Sequence, residues 1–149
     1  MTLYALDTNI LVYAHNTEAK MHQKAKSFVE RVMNERNADG ELAVCLPSQV
    51  LVEFVSAITW QRIEKPLTLA QATDVIKDYL DSRIGILLPR ETYLPNFIEL
   101  MENTTSRKKI FDVALAATLK EHKISGIYTV NVNDFTSFGF LDVINPLEP

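Results

Sequence analysis

Leu3-Tyr4-Ala5-Leu6-Asp7-Thr8-Asn9-Ile10-Leu11-Val12-Tyr13-Ala14 places two apolar runs on either side of three polar residues. The first run is short and lacks helical spacing, so it reads as a buried strand. Asp7-Thr8-Asn9 supplies turn and N-cap chemistry before the second run. Residues 22–36 have amphipathic helical spacing, with Ala25, Phe28, Val29 and Val32 on one face. Asn37-Ala38-Asp39-Gly40 ends that helix, and residues 42–46 form a second strand. Pro47-Ser48 starts a helix expected to run to about residue 63, with Ser48 as its cap.

Pro66-Leu67-Thr68 breaks the pattern, and Thr68 caps a helix over residues 69 to about 80. A third strand follows at 84–88, closed by Pro89, then a helix at 93–101 and a polar loop at 103–106. The next helix spans 110–122, a fourth strand 126–130 and a short fifth 140–144. Strands that alternate with helices predict an α/β domain with a mainly parallel sheet. Residues 1–149 carry no internal repeat or low-complexity tract, so a single domain is expected.

Four carboxylates fall where an ordinary core would not place them. Asp7 closes the first strand, Glu53 interrupts Val50-Leu51-Val52 and Phe54-Val55, Asp112 lies between Ile110-Phe111 and Val113-Ala114-Leu115, and Asp134 follows the fourth strand. Each has an ordinary account: a turn residue, a snorkelling helix acid, a first-turn acid favoured by the helix dipole, a loop acid before Phe135. The set is harder to dismiss. In open parallel sheets ligands bind outside the carboxyl ends of the strands, where Asp7 and residues 131–134 are expected and where the helix of Asp112 would begin. Converging carboxylates repel one another, which implies raised pKa values or a hard divalent cation.

The composition sets limits around that reading. Hydrophobic residues make up 47% and charged residues 23% of 149, an ordinary globular balance. No apolar stretch reaches transmembrane length and no secretory signal pattern opens the chain, so a cytoplasmic location with no membrane partner is expected. The single cysteine, Cys45, reads as a core thiol. The net charge of −4 argues against electrostatic coating of nucleic acid, although Lys20, Lys24, Lys26 and Arg31, and then Arg107-Lys108-Lys109, form local basic runs. A solvated face accounts for either run alone, but the second would place cations beside the acids. His15, His22 and His122 lack zinc-ligand spacing and read as surface or capping residues. Magnesium or manganese suits an all-oxygen site that retains waters. Phosphate-binding P-loop, dinucleotide and nucleophile-elbow motifs are absent from the sequence.

With these residues in place, the chain resembles PIN-domain proteins, and within them the small toxins of VapC type. The likeness is carried by residues 6–14, Val52-Glu53-Phe54, Phe111-Asp112-Val113-Ala114-Leu115-Ala116-Ala117 and Thr129-Val130-Asn131-Val132-Asn133-Asp134-Phe135. It implies a three-layer, Rossmann-like α/β/α sandwich and a Mg2+- or Mn2+-dependent ribonuclease acting on RNA. It also implies that Asp7, Glu53 and Asp112 are catalytic and metal-binding, with Asp134 as a further catalytic acid. Asn9, Thr129 and Asn131 would orient them. Asn131 stands where the family often has Asp, which removes a charge and leaves Asn131 or Asp134 to complete the site. The resemblance further implies a homodimer silenced by a small antitoxin. Exposed apolar residues between Leu51 and Trp60 are a possible dimer surface, with Trp60 itself expected in the core. The competing reading is a catalytically weak RNA-binding or protein-interaction module on the same fold. A phosphoryl-accepting receiver domain is poorly supported, because no second acid adjoins Asp7 and no lysine follows Thr129.

Overall fold

The computed structural model describes residues 2–148. Five strands, β1 (Tyr4–Leu6), β2 (Val44–Pro47), β3 (Gly85–Leu87), β4 (Gly126–Tyr128) and β5 (Asp142–Ile144), make one sheet in the order β3-β2-β1-β4-β5. Every pairing is parallel, with Tyr4 opposite Val44 on one side and Gly126 on the other. The interior strands are buried on both faces, as a parallel sheet requires: Ala5, Leu6, Cys45, Leu46 and Ile127 are fully inaccessible. Cys45 is therefore a core thiol, and burial pushes it up to about 12. Gly126 marks the tightest approach between strands. A Cβ there would lie 2.4 Å from the Asp142 carbonyl oxygen and 2.5 Å from the Tyr4 ring.

The crossovers supply six helices: α1 (Thr8–His15), α2 (His22–Asn34), α3 (Ser48–Ile58), α4 (Leu69–Asp81), α5 (Tyr93–Met101) and α6 (Ile110–Glu121). α1 packs on α2 and α3, and α3 on α4; α5 packs on α6, giving the α/β/α layering. α6 is apolar nearly all round, with Val113 to Leu119 all buried, which suits a helix covered on several sides. Thr68 and Gln71 form a reciprocal capping box at the start of α4. The strand order turns back at β1. Its chain neighbour β2 lies on one side and β4 on the other, which opens a crevice at the carboxyl ends of β1 and β4.

Three sequence expectations need correction. α3 stops at Ile58 rather than near 63, because the Thr59 hydroxyl bonds the Val55 carbonyl (2.7 Å) and the chain folds back until the Leu67 N–H reaches the Ile58 carbonyl (2.9 Å). Ser48 is the first helical residue of α3 and makes no side-chain cap; the extended Pro47 holds the cap position. Trp60, left outside the shortened helix, is 55% exposed rather than core, while Leu51 is buried. The histidines divide. His22 and His122 bond the carbonyls of Tyr13 and Leu88, whereas His15 is half-buried against Phe54 and bonded to the Tyr79 hydroxyl.

Candidate active site

Asp7 is both a helix cap and a buried carboxylate. Its Oδ1 accepts the Thr8 N–H at 2.8 Å, the N-cap bond that starts α1. Its Oδ2 accepts the Thr129 hydroxyl at 2.7 Å and the Asn9 amide at 3.3 Å. Only 8% of the residue is exposed. Burial pushes the Asp7 carboxyl up, the Thr129, Thr8 and Asn9 donors pull it back, and the Glu53 charge pushes it up again.

Thr129, just past β4, is fully buried, and its hydroxyl oxygen is the hub of this side of the site. It donates to Asp7 while accepting the Asn131 N–H at 3.0 Å and the Asn9 amide at 3.3 Å. Asn9 in turn accepts the Val130 N–H through Oδ1. The two chain segments at the crevice are thus tied together through the groups that aim Asp7.

Glu53 approaches from α3. Its Oε1 accepts the Gln49 amide at 2.7 Å, and the same amide donates to the Phe111 carbonyl at 3.0 Å. Gln49 therefore fixes Glu53 and ties α3 to the residue before Asp112. It is absent from the sequence reading, although an i,i+4 pair one helical turn before Glu53 is a recognisable signal. Asp112 lies in the first turn of α6. Its carboxyl is pushed up to about 6, chiefly by desolvation and then by Asp134, with Lys109 opposing and Asp7 and Glu53 adding smaller repulsions.

Asp7, Glu53, Asp112 and Asn131 line one cleft of about 300 Å³, together with Thr8, Asn9, Val12, Tyr13 and Ala57. Asp134 does not line it. Asp134 stands in a 3-10 turn (Val132–Asp134), lines an adjoining depression that shares Asn131, and is ion-paired with Lys109 at 3.4 Å. Asn131, itself exposed, is the group that links the two hollows.

The donor chemistry of the cleft fits a hard divalent cation. Its polar wall offers three carboxylates, the Asn9 and Asn131 amides and the Thr8 and Tyr13 hydroxyls, with neither thiolate nor imidazole. The Thr8 hydroxyl oxygen is buried there without a hydrogen-bond partner among the described residues, an orphaned polar atom of the kind that a ligand-binding site accounts for. Among the described residues no three His, Cys, Asp or Glu side chains are grouped closely enough to hold an ion by themselves. Magnesium, which keeps several waters and needs only one or two direct carboxylates, is compatible with that spacing.

Comparison with known proteins gives these residues a family context. A profile of the PIN domain matches residues 4–141. Ribonuclease VapC24 of Mycobacterium tuberculosis is 30% identical over 148 residues, covering 97% of each chain. Among solved structures, VapBC2 from Rickettsia felis, bound to a DNA fragment from its promoter, superposes with a TM-score of 0.65 at 19% identity, over 96% of this chain and 98% of that one. The Sarcin-Ricin loop cleaving toxin VapC20 of Mycobacterium tuberculosis gives 0.65 at 15% identity, over 93% and 96%. Acids set at the reversal point of a parallel sheet and a profile match over almost the whole chain agree: this protein belongs to the PIN domain family.

Proposed function

We propose that this protein is a Mg2+- or Mn2+-dependent endoribonuclease and the toxin of a toxin–antitoxin pair, acting in the cytoplasm as a homodimer. The observation that carries the reading is the meeting of Asp7, Glu53 and Asp112, from three separate elements, in one cleft at the carboxyl edge of the sheet. The relative named ribonuclease VapC24 supports the substrate class.

Asp7 and Asp112 would hold a divalent ion, which would supply water activation and charge neutralisation at the phosphodiester. The chain supplies geometry. Thr129 and Asn9 lock Oδ2 of Asp7 in place, so the carboxylate is already positioned in the cleft. Gln49 holds Oε1 of Glu53, leaving Oε2 to orient the attacking water and take its proton. Asn131 adds a neutral oxygen at the rim. Cleavage of mixed RNAs by the pure protein should require magnesium or manganese and stop on chelation. RNA retained without cleavage under all metal conditions would favour the binding-module reading, for which the neutral Asn131 is the supporting observation.

Apolar side chains remain for partners. Val52, Leu94, Ile98 and Phe111 are each more than half exposed, and α5 buries none of its residues fully. A homodimer is expected in sedimentation at micromolar concentrations, and a species that stays monomeric there rejects it. The antitoxin is expected to place an Arg or Lys among the cleft acids, the cation that such a cluster recognises.

A further inference from the structure

The basic run before Asp112 is unequal in its geometry. Arg107-Lys108-Lys109 forms a 3-10 turn leading into α6; Arg107 and Lys108 are exposed, whereas the Lys109 side chain is only 33% exposed. Its ammonium donates to Oδ1 of Asp134 at 3.4 Å and to the Asp134 carbonyl at 3.3 Å. An ammonium has three donors, so one remains. Lys109 also lines a cavity of about 180 Å³ with Thr105, Ser106 and Ser137. Lys109 thus holds Asp134, in the depression that adjoins the acid cleft, while lining a hydroxyl-bearing hollow, and its charge opposes the upward push on Asp112.

A structural ion pair is the plain alternative, but such a half-exposed pair contributes little to stability. An RNA strand entering the site must bring phosphates beside three carboxylates, which repel it. A fixed cation next to hydroxyl donors at the edge of those acids is what would hold the backbone against that repulsion. We infer that Lys109, with the hydroxyls of Thr105, Ser106 and Ser137, binds the RNA phosphate adjacent to the scissile one and so seats the strand over the acid cleft. The inference rests on the nuclease reading above and adds a subsite to it.

The test compares Lys109→Met, Lys109→Arg and Asp134→Asn in the full chain. Binding of a fluorescent, mixed-sequence single-stranded oligoribonucleotide is measured by anisotropy in chelator, where no cleavage occurs. Lys109→Met should weaken binding about tenfold and lower the salt slope by about 0.7, the value for one lost phosphate contact on a single strand. Lys109→Arg should restore both. Asp134→Asn should bind as tightly as the parent or more tightly, since it releases the ammonium. Manganese affinity measured by calorimetry without RNA should not fall in Lys109→Met. Equal loss of RNA binding in Lys109→Met and Asp134→Asn would show that only the ion pair matters and overturn the subsite. Unchanged RNA binding in Lys109→Met, or loss of manganese affinity in it, would overturn it as well. A parent protein that neither binds nor cleaves RNA removes the nuclease reading itself, and the subsite with it.

Discussion

Asp7→Asn is expected to lower metal-dependent RNA cleavage by more than about 100-fold, beyond the usual effect of altering a group that merely supports a metal ligand. The substitution keeps shape, and the new Oδ1 can still accept the Thr8 N–H that caps α1. What it loses is a charged oxygen facing the cleft. Locally the exchange has opposing effects. An Asn amide at the Oδ2 position faces the Asn9 amide, donor against donor, and leaves the Thr129 hydroxyl to find another acceptor. Against that, removing a buried, desolvated charge beside Glu53 is favourable in the metal-free protein. The melting temperature in chelator should therefore move only a few degrees in either direction while activity disappears. Full activity in a folded Asp7→Asn protein would refute the metal-dependent nuclease and favour the binding module.

Asp7 also shows why sequence reading took the site only part of the way. Taken from the sequence, N-cap and site acid are rival accounts of this residue; in the structure the carboxyl caps α1 through Oδ1, is held by Thr129 at Oδ2 and lines the cleft, so the two accounts do not exclude each other. The alternation of strands and helices and the Thr68 cap were legible because they are local, written in periodicity and in a single capping residue. The end of α3 was not, because Trp60 and Ile63 continue an apolar rhythm that only the return of Leu67 onto Ile58 cuts short. Distance along the chain also hid the partner of Asp134. Lys109 lies 25 residues away, and although the basic run at 107–109 is expected beside the acids, nothing in either segment singles out this pair. That pairing, and the placement of Asp134 outside the main cleft, come from how α6 and the loop after β4 are brought together.

Asp112→Asn is expected to have opposite effects on activity and on metal-free stability. Activity should fall as far as in Asp7→Asn, through loss of a second charged oxygen at the same cleft. Stability follows the direction of the pKa shift. The folded-state pKa of Asp112 is raised from 3.8 to about 6, so the native protein holds this proton more tightly than the unfolded chain. The stabilisation from the protonated carboxyl is complete below the unfolded value and is lost as pH rises through the folded one. In chelator, wild type should thus lose stability between about pH 4 and pH 7 in a way that Asp112→Asn does not share. The variant's melting temperature relative to wild type should rise across that window. Magnesium should reverse the order at neutral pH. A ligand at about 100 times its dissociation constant stabilises the native state by about 2.7 kcal/mol, a gain that the variant largely forgoes. Parallel pH–stability curves for the two proteins in chelator would mean that Asp112 is not strained by burial and its neighbouring acids. Equal stabilisation of both by magnesium would mean that the ion binds elsewhere, and the cleft would then lose its claim to be the metal site.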